Sequence, residues 1–330
     1  MKILFYMREN YKSNIAGDAI QLVSTVKYLI KRGIEIEISS DTSKNLAGYN
    51  IIHLFNTSDA LFTYNCMKNA LKLKKKIVLT PIYWDYTRYL PLGKTYSYDR
   101  YFWKEENMFR KKIFCGADIV LPGSEKEMRL IEDDFGITKS YAVIPSGVDS
   151  GFLYGDGEMF KQKYHVDDFV LCVGRICPHK NQLTLARITK KLGIPFVMVG
   201  PVNDLDYYYK CMRANSEIIY ITGIEHSELS SIYHAAKVHA LVSWYEIPGL
   251  VNLEAGLAGC NILTTDEGST KECFKDYVCY ANHKNYEEIE RKLIETFHKK
   301  KDDSFKNYII ENYLWEKATE NIESVYATLV

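Results

Sequence analysis

The sequence lacks the features that most directly assign a chain to a function class. None of its eight cysteines forms a CxxC pair, which argues against a zinc site and favours buried, reduced thiols. No apolar run approaches the length needed to span a membrane, and the apolar part of MKILFYMREN is too short for a signal peptide. The 42 basic and 42 acidic side chains balance, which argues against nucleic acid as the main partner. We therefore expect a cytoplasmic protein.

Short apolar runs alternate with amphipathic stretches along the chain, a pattern typical of parallel α/β structure. A length of 330 residues with 47% hydrophobic residues is enough for two cores. The first amphipathic stretch, 18–33, places Ile20, Val23, Val26 and Ile30 near helical spacing. The predicted strands are 2–6, 34–38, 50–55, 76–80, 117–122 and 141–145 in the first half, and 169–174, 195–200, 217–223, 238–243, 261–265 and 277–281 in the second.

A glycine-rich stretch, 145–157, separates the two halves and predicts a linker. We therefore predict two Rossmann-like domains, 1–147 and 148–305, followed by a terminal helical segment at 306–330. No GxGxxG motif follows the first strand, which disfavours a dinucleotide-dependent dehydrogenase.

Two cations follow the first predicted strand of the second half. Arg175 and Lys180 would lie at the carboxyl end of that strand, where ligands bind in such sheets. Further along, Glu246 precedes a helix predicted from Leu250, and Glu254 lies within that helix. A helix N-terminus with two nearby cations suits a diphosphate, and a carboxylate on the first turns can accept hydrogen bonds from a ribose diol. These motifs suggest a protein that holds a nucleotide-sugar.

Two other motifs compete with this interpretation. Gly174 to Asn181 resembles a Walker A loop, but His179 stands where that loop needs a glycine, and Asn181 where it needs Ser or Thr. Asp204 and Asp206 imitate a metal-binding D-x-D pattern, but acidic residues at a helix start need no metal. We therefore predict neither a P-loop nor a metal site.

The chain resembles family 4 (group 1) glycosyltransferases, which are retaining enzymes of the GT-B fold. That family has G-R followed by K-N or K-G on one loop and E-x7-E on a second. Here the first pattern reads GRICPHKN at 174–181, and the second reads EIPGLVNLE at 246–254. The resemblance extends to PSGVD at 145–149 and to a terminal helix near Trp315. It covers roughly the whole chain and is stronger in the carboxy-terminal half.

The resemblance implies an α/β protein of the GT-B fold. In that fold two Rossmann-like domains face each other across a cleft, and the C-terminal helix crosses back to the first domain. The implied reaction moves a sugar from a nucleoside-diphosphate sugar, such as a UDP-sugar, to a glycan or lipid-linked acceptor with retention of anomeric configuration. It serves surface polysaccharide or glycolipid synthesis and needs no metal or other cofactor.

The resemblance also implies roles for individual residues. The catalytic residues are expected to be Arg175, Lys180 and Glu246. The expected donor-binding residues are Gly17, Gly174, Asn181, Gly223, Ile224, Gly249, Leu250, Val251 and Glu254. The chain departs from the family at Ile247-Pro248, where the family has Gly-Phe, and at Ile82, where many members carry the histidine of a Thr-x-His motif.

The segment 83–114 is rich in Tyr, Trp and Phe with interleaved cations, and the acceptor is predicted to bind near 83–103. Such interleaving suits sugar stacking or a membrane surface, and Lys72 and Lys74 to Lys76 add positive charge to the same domain. We therefore expect peripheral contact with the cytoplasmic face of a membrane, although these residues can equally pack internally or be solvated. The predicted acceptor contacts are Tyr83, Trp84, Asp85, Arg88 and Arg100.

Two other kinds of function stay open. A GT-B nucleotide-sugar epimerase or a glycan phosphorylase would use the same fold, although no cofactor lysine for a phosphorylase is identifiable. A non-catalytic carbohydrate-binding subunit could also keep the fold. The four charged residues Arg175, Lys180, Glu246 and Glu254 are intact, which argues against a decayed site.

Overall fold

A computed structural model describes residues 1–12, 17–91 and 96–330, with backbone alone for residues 10, 12, 226 and 227. Within these residues the chain forms two compact units. The first unit contains residues 1–146 and 315–330, and the second contains residues 147–314. Each unit is built on its own parallel β-sheet.

The described residues form eleven strands and thirteen α-helices, joined in places by short 3-10 turns. The strands are β1 (Lys2–Tyr6), β2 (Glu35–Ser39), β3 (Ile51–Phe55), β4 (Lys76–Thr80), β5 (Ile119–Val120), β6 (Val170–Val173), β7 (Phe196–Val199), β8 (Ile219–Ile221), β9 (Val238–Leu241), β10 (Asn261–Thr265) and β11 (Cys279–Ala281). The helices are α1 (Gly17–Lys31), α2 (Ala60–Lys72), α3 (Ser97–Gly116), α4 (Glu125–Phe135), α5 (Gly157–Tyr164), α6 (Gln182–Leu192), α7 (Leu205–Ala214), α8 (His226–Ala235), α9 (Leu250–Leu257), α10 (Thr270–Phe274), α11 (Tyr286–His298), α12 (Ser304–Asn312) and α13 (Trp315–Ala327). No helix in the described part of the chain is both long and apolar enough to cross a lipid bilayer.

The first sheet has the strand order β2-β1-β3-β4-β5, with every neighbouring pair parallel. Its central strands are continuous apolar runs, as expected where helices cover both faces of a parallel sheet. At the edge, β5 contains only two residues, and the strand predicted at 141–145 is reduced to one bridge between Val120 and Tyr141.

A buried histidine connects this sheet to the last helix of the chain. His53 on β3 lies with Nδ1 2.5 Å from the Tyr326 hydroxyl of α13 and Nε2 2.8 Å from Thr80 Oγ1 of β4. Burial lowers the pKa of His53 to about 3, so the ring is neutral at pH 7. His53 therefore has a structural role within the first unit.

Helix α1 buries a different face from the one the sequence indicated. Ile20, Val23 and Ile30 belong to the predicted apolar pattern, but they are 44%, 50% and 51% exposed. Because α1 packs on α13 as well as covering the sheet, its buried stripe is rotated by about one residue. The buried residues of α1 are Ala19, Leu22, Thr25, Val26, Tyr28 and Leu29.

The second sheet has the order β11-β10-β9-β6-β7-β8 and is also entirely parallel. The stretch 145–157, expected to be a linker, largely packs on this unit. Phe152 is 1% exposed, and the Val148 amide donates to the Tyr313 carbonyl at 2.7 Å. The glycines of this stretch therefore serve packed turns rather than a flexible connection.

The C-terminal region is also divided into helices differently from the prediction. We expected one helical segment at 306–330, but two helices, α12 and α13, occupy this region. Phe305 and Ile309 of α12 are buried in the core of the second unit, so the boundary falls at Trp315 rather than at residue 306. The helix that belongs to the first unit is therefore shorter than predicted.

Close packing of α9 on α12 gives a stability prediction. A Cβ atom on Gly256 of α9 would stand 2.4 Å from Phe305 Cε1 and 2.8 Å from Ile309 Cδ1. We expect Gly256→Ala to lower the free energy of unfolding by about 1–3 kcal/mol, because α12 must move to admit the methyl group. Urea unfolding followed by circular dichroism measures this loss.

The matched control is Gly48→Ala, since no atom lies within 4 Å of a Cβ at that position. Phe305→Leu in the Gly256→Ala background should restore part of the lost stability. A loss in Gly256→Ala no larger than that in Gly48→Ala would contradict the packing described here.

Candidate active site

The predicted donor residues gather at the carboxyl ends of the strands of the second sheet. Asn181, in the loop after β6, holds three of these loops together. Its Nδ2 donates to the carbonyl oxygens of Val242, after β9, and of His283, after β11, both at 3.1 Å. Both amide hydrogens of Asn181 are engaged with these carbonyl oxygens. Asn181 therefore positions the loops in this structure and has no side-chain N–H left to bind a nucleotide-sugar.

An ion pair between Lys180 and Glu246 lies at the centre of the site. Lys180 Nζ is 2.5 Å from Glu246 Oε1, and the two side chains are 15% and 7% exposed. Burial raises the pKa of Glu246, but the charges of Lys180 and His179 and the hydrogen bonds from Lys180 and Ser243 together hold that pKa below its usual value. The backbone of Glu246 is fixed too, because its carbonyl accepts from the Ser269 amide at 2.9 Å.

Arg175 and His179 lie on the same loop as Lys180. Burial, followed by the charge of Lys180, lowers the pKa of His179 to about 4, so His179 is neutral at pH 7. Within the described residues the half-buried Arg175 guanidinium forms no ion pair or hydrogen bond. The backbone of Arg175 is held by Gln182, whose Nε2 donates to the Arg175 carbonyl at 2.9 Å. The loop therefore presents a cation with no counter-charge of its own.

Helix α9 begins directly beside the carboxylate of Glu246. Gly249, with φ of 92°, precedes the helix, and a Cβ there would stand 3.1 Å from Glu246 Oε2. Glycine is needed because the backbone turns in a left-handed conformation at this close approach. The amides of Leu250 and Val251 lie in the first turn and have no intrahelical acceptor. The positive end of the α9 dipole therefore adds to the charge of the site.

A buried polar network, which the sequence did not indicate, anchors α9. Asn252 Oδ1 lies 3.1 Å from His239 Nδ1, and Asn252 Nδ2 donates to Thr264 Oγ1 at 3.0 Å. The Val173 amide is 3.4 Å from His239 Nε2, so neutral His239 donates through Nδ1 and accepts at Nε2. Burial lowers the pKa of His239 to about 3, which fits this assignment. The available signal was an asparagine flanked by apolar residues within the predicted helix.

Glu254 lies one turn after the start of α9 and is 9% exposed. The Tyr233 hydroxyl donates to Glu254 Oε2 at 2.8 Å, and Oε1 makes no hydrogen bond to the described residues. Burial raises the pKa of Glu254 to about 7, the Tyr233 hydrogen bond opposes this, and the charge of Asp149 adds to it. Glu254 is therefore a buried carboxyl group that titrates near neutral pH and has one oxygen available.

The remaining residues predicted to bind the nucleotide-sugar donor lie in different surroundings. Gly174 follows β6 with φ of 150°, and Gly223 follows β8 with φ of 68° and is exposed. Ile224 packs partly buried on the core of the second unit. Gly17 begins α1 of the first unit, and Asp18 in the first turn of that helix pairs with Arg8 at 3.1 Å.

Asp204 has the structural role that the sequence predicted. Its side chain accepts from the Tyr207 amide at 2.9 Å and caps α7. Within the described residues no group of three or more His, Cys, Asp or Glu side chains is arranged to hold a metal ion.

Tyr83, a predicted acceptor contact, is part of the core of the first unit. It is 1% exposed, its hydroxyl donates to Asp134 at 2.8 Å, and its amide donates to the buried Glu127 at 2.6 Å. The prediction for Tyr83 is corrected on this point, because its side chain is enclosed by protein.

Three other predicted acceptor contacts are engaged with neighbouring protein groups. Asp85 caps the 3-10 turn 86–89 and lies 3.2 Å from Arg88. Arg88 also pairs with Asp134. Arg100 donates to the Leu90 and Pro91 carbonyls at 2.8 and 2.9 Å. These contacts shape the loop after β4, whereas Trp84 is half-buried and lines a cavity.

The sequence of the second unit matches a known family. Residues 158–314 fit the family model for glycosyl transferases group 1. The match covers nearly the whole second unit, in which the Lys180–Glu246 pair lies, but slightly less than half of the chain. No curated protein sequence matches the chain.

The whole chain is similar in fold to several solved structures. Sucrose-phosphate synthase from Thermosynechococcus elongatus is 14% identical with a TM-score of 0.81, over 100% of this chain and 99% of that one. Anabaena Alr3699/HepE in complex with UDP-glucose is 14% identical with a TM-score of 0.76, over 99% and 100%. An E. coli structure described as trehalose-6-phosphate bound with UDP-2-fluoro glucose is 11% identical with a TM-score of 0.71, over 100% of both chains. These likenesses confirm the predicted GT-B fold, with two parallel α/β units.

The buried carboxyl group of Glu254 predicts an unusual pH dependence of stability. Its folded-state pKa of about 7 lies above the model-peptide value of 4.5, so ionisation costs more in the folded state. Stability is therefore lost as pH rises from 4.5 to about 7. We expect Glu254→Gln to have little effect at pH 4.5 and to stabilise the protein at pH 8 by up to about 3 kcal/mol.

Thermal unfolding of both proteins across this pH range provides the measurement. Glu311→Gln, an exposed glutamate of the same unit, is the control and should show no such trend. Equal stability of Glu254→Gln and the parent protein at pH 8 would show that the carboxylate is not penalised by burial.

Proposed function

We propose that this protein is a glycosyltransferase that moves a sugar from a nucleoside-diphosphate sugar to an acceptor hydroxyl, with retention of anomeric configuration. The observation that supports this most strongly is the buried Lys180–Glu246 pair beside the unpaired cation of Arg175 and the start of α9. Lys180 and the start of α9 adjoin one carboxylate, and Arg175 on the loop of Lys180 adds a further positive charge at the carboxyl edge of the sheet. The match of residues 158–314 to group 1 glycosyltransferases agrees with it.

The proposed chemistry is departure of the diphosphate from the anomeric carbon. Negative charge then grows on the leaving oxygens, and we propose that Arg175, Lys180 and the first amides of α9 stabilise it. One charge-assisted hydrogen bond contributes about 1.5–3 kcal/mol, or roughly ten- to a hundredfold in rate if it forms only in the transition state. Because these groups supply the positive charge, we propose that no metal is required.

Glu246 and Glu254 are proposed to divide recognition of the donor. Glu246 Oε2 faces Gly249 while Oε1 pairs with Lys180, so this carboxylate can orient the lysine and accept a sugar hydroxyl. Glu254 Oε1 is available to accept from the ribose hydroxyls. We propose a UDP-sugar, since UDP-glucose and UDP-2-fluoro glucose are named with two of the similar structures.

The acceptor is proposed to be a glycan or a lipid-linked sugar at the cytoplasmic face of a membrane. On α3 the side chains of Tyr98 and Tyr101 are 69% and 59% exposed, and Lys104 and Lys111 on the same helix are exposed too. Aromatic rings beside cations suit the interface of an anionic bilayer. This placement supports a role in surface polysaccharide or glycolipid synthesis.

The first test concerns the proposed diphosphate site. Arg175→Met should lower turnover by about tenfold to a thousandfold while Tm stays near that of the parent protein, because the guanidinium has no structural partner among the described residues. A thermal-shift screen of UDP-, GDP- and ADP-sugars identifies the donor, and release of the nucleoside diphosphate in EDTA then measures turnover.

The matched control is Lys190→Met, an exposed lysine on α6 paired with Glu217. Incubation with donor alone separates transfer from epimerisation, because only an epimerase forms a new nucleotide-sugar without acceptor. Normal turnover of Arg175→Met would refute the site, and activity that depends on added Mn²⁺ would refute the metal-free mechanism.

The second test concerns the membrane. We expect the protein to co-sediment with vesicles rich in anionic lipid at low salt and less so with neutral vesicles, since each cation near an anionic surface contributes about 1 kcal/mol. Tyr98→Ser/Tyr101→Ser should reduce binding several-fold, whereas Tyr154→Ser, exposed on the second unit, should not. Equal sedimentation of both variants would rule out α3 as the contact surface.

A further inference from the structure

A buried tyrosine on α8 supplies the one hydrogen bond that the carboxyl group of Glu254 makes to the described residues. The Tyr233 hydroxyl donates to Glu254 Oε2 at 2.8 Å, and Tyr233 is 0% exposed. Within the described part of the chain, Glu254 belongs to no ion pair, whereas Glu246 pairs with Lys180. The carboxyl group of Glu254 is therefore held by a neutral partner and not by a cation.

The ring and backbone of Tyr233 are fixed by contacts that do not involve Glu254. The ring packs edge-on against Phe152 and His239, at centroid distances of 5.6 and 5.8 Å. The Tyr233 carbonyl accepts from Cys260 Sγ at 2.9 Å. The fold therefore sets the place of the hydroxyl, and a Tyr233→Phe change keeps the ring contacts while it removes the hydroxyl alone.

The Tyr233 hydroxyl gives the two oxygens of Glu254 different roles. Burial, followed by the charge and the hydrogen bond of Glu254, raises the pKa of Tyr233 well above its usual value. The hydroxyl therefore keeps its proton at neutral pH, and its single hydrogen is directed at Oε2. Oε1 makes no hydrogen bond to the described residues. The Oε1 atom is thus the oxygen of Glu254 that is left for a ligand.

The elements packed on α9 are the 3-10 turn 150–153, α8, β9, β10 and α12, and few of their groups act on Glu254. Burial raises the pKa of Glu254 to about 7, the Tyr233 hydrogen bond lowers it, and the charge of Asp149, next to the 3-10 turn, raises it. His239 on β9 is neutral, β10 has no titratable residue, and no group on α12 alters this pKa. Among the described groups, Tyr233 is therefore the one that favours ionised Glu254.

We propose that Tyr233 is a positioning residue for the nucleotide-sugar: its hydroxyl holds Glu254 Oε2 and favours the ionised carboxylate, which leaves Oε1 to accept from the ribose hydroxyls. This inference rests on the proposed function and deepens it. Hydrogen bonds to an ionised acceptor are roughly twice as strong as those to a neutral one. Affinity for the nucleotide-sugar therefore rises with pH as Glu254 loses its proton, and Tyr233 sets the pH at which this happens.

The first measurement needs no ligand. The full chain is labelled with ¹³C at the side-chain carboxyl carbon of glutamate, and Glu254→Gln assigns the Glu254 signal by its disappearance. In the parent protein this signal should titrate with a pKa of about 7. Tyr233→Phe should move the midpoint upward by about one pH unit, because the ionised carboxylate loses a hydrogen bond.

The matched control is another buried tyrosine of the second unit. Tyr313 is 6% exposed, and its hydroxyl donates to the Cys273 carbonyl at 2.8 Å. Tyr313→Phe therefore removes a comparable hydrogen bond without touching Glu254, and it should leave the Glu254 midpoint unchanged. Thermal unfolding of both variants measures how much stability each hydroxyl contributes and identifies a variant that fails to fold.

The second measurement is calorimetry between pH 6 and pH 9 with UDP-glucose and with its analogue that lacks both ribose hydroxyls. The phosphates of UDP-glucose do not change charge over this range. Affinity of the parent protein for UDP-glucose should rise about three- to tenfold with pH, and affinity for the analogue should not. At pH 7.5, Tyr233→Phe should bind UDP-glucose about three- to tenfold more weakly than the parent protein and Tyr313→Phe, and should bind the analogue equally well.

The outcomes separate this inference from the proposed function. An unchanged Glu254 midpoint in Tyr233→Phe, or a shifted midpoint with unchanged affinity for UDP-glucose, would overturn the positioning role and leave the proposed function standing. Equal weakening of UDP-glucose and the analogue would overturn the ribose contact. A parent protein that does not bind UDP-glucose would refute the proposed donor and the ribose contact with it, whereas the carboxyl titration tests the Tyr233 hydrogen bond independently of any donor.

Discussion

The buried ion pair between Lys180 and Glu246 is the constraint on which the arrangement of the second unit depends. Taking two charges out of water is expensive, and a buried pair is seldom more stable than a well-packed apolar pair. The backbone around the Lys180–Glu246 pair nevertheless leaves space for Glu246. A Cβ on Gly268 would stand 2.0 Å from the Glu246 carbonyl, and Gly249 leaves room for the carboxylate. Such fitting around a costly pair agrees with the proposed role of the two charges in the chemistry of the site.

Much of the fold could be predicted from the sequence, because each strand of the parallel sheets is a short apolar run bounded by polar residues. The predicted strands at 76–80 and 261–265 match β4 and β10 residue for residue. The predictions fail where a helix packs on a second helix as well as on its own sheet. Packing on α13 rotates the buried face of α1, and packing on α9 keeps Phe305 and its helix in the second unit. Neither contact is visible in a local pattern.

The candidate sites were predictable only in part, for a similar reason. Charged residues after strands mark the Lys180 and Glu246 loops, since parallel strands bring their carboxyl ends to one edge. Residues that hold such loops in place leave no local signal. Asn181 contacts carbonyls 61 and 102 positions away, and Arg110 reaches carbonyls 53 and 52 positions away. The family resemblance implied ligand contact for Asn181, whereas its amide joins its own loop to the loops after β9 and β11.

Buried positive charge is balanced differently in the two units. In the second unit the Glu246 carboxylate adjoins Lys180 and the start of α9, and Arg175 on the loop of Lys180 has no counter-charge among the described residues. In the first unit the Arg110 guanidinium is balanced by Glu106 and by carbonyl oxygens. An excess of positive charge suits a diphosphate, whereas a guanidinium already held by a carboxylate and carbonyl oxygens stabilises its own unit.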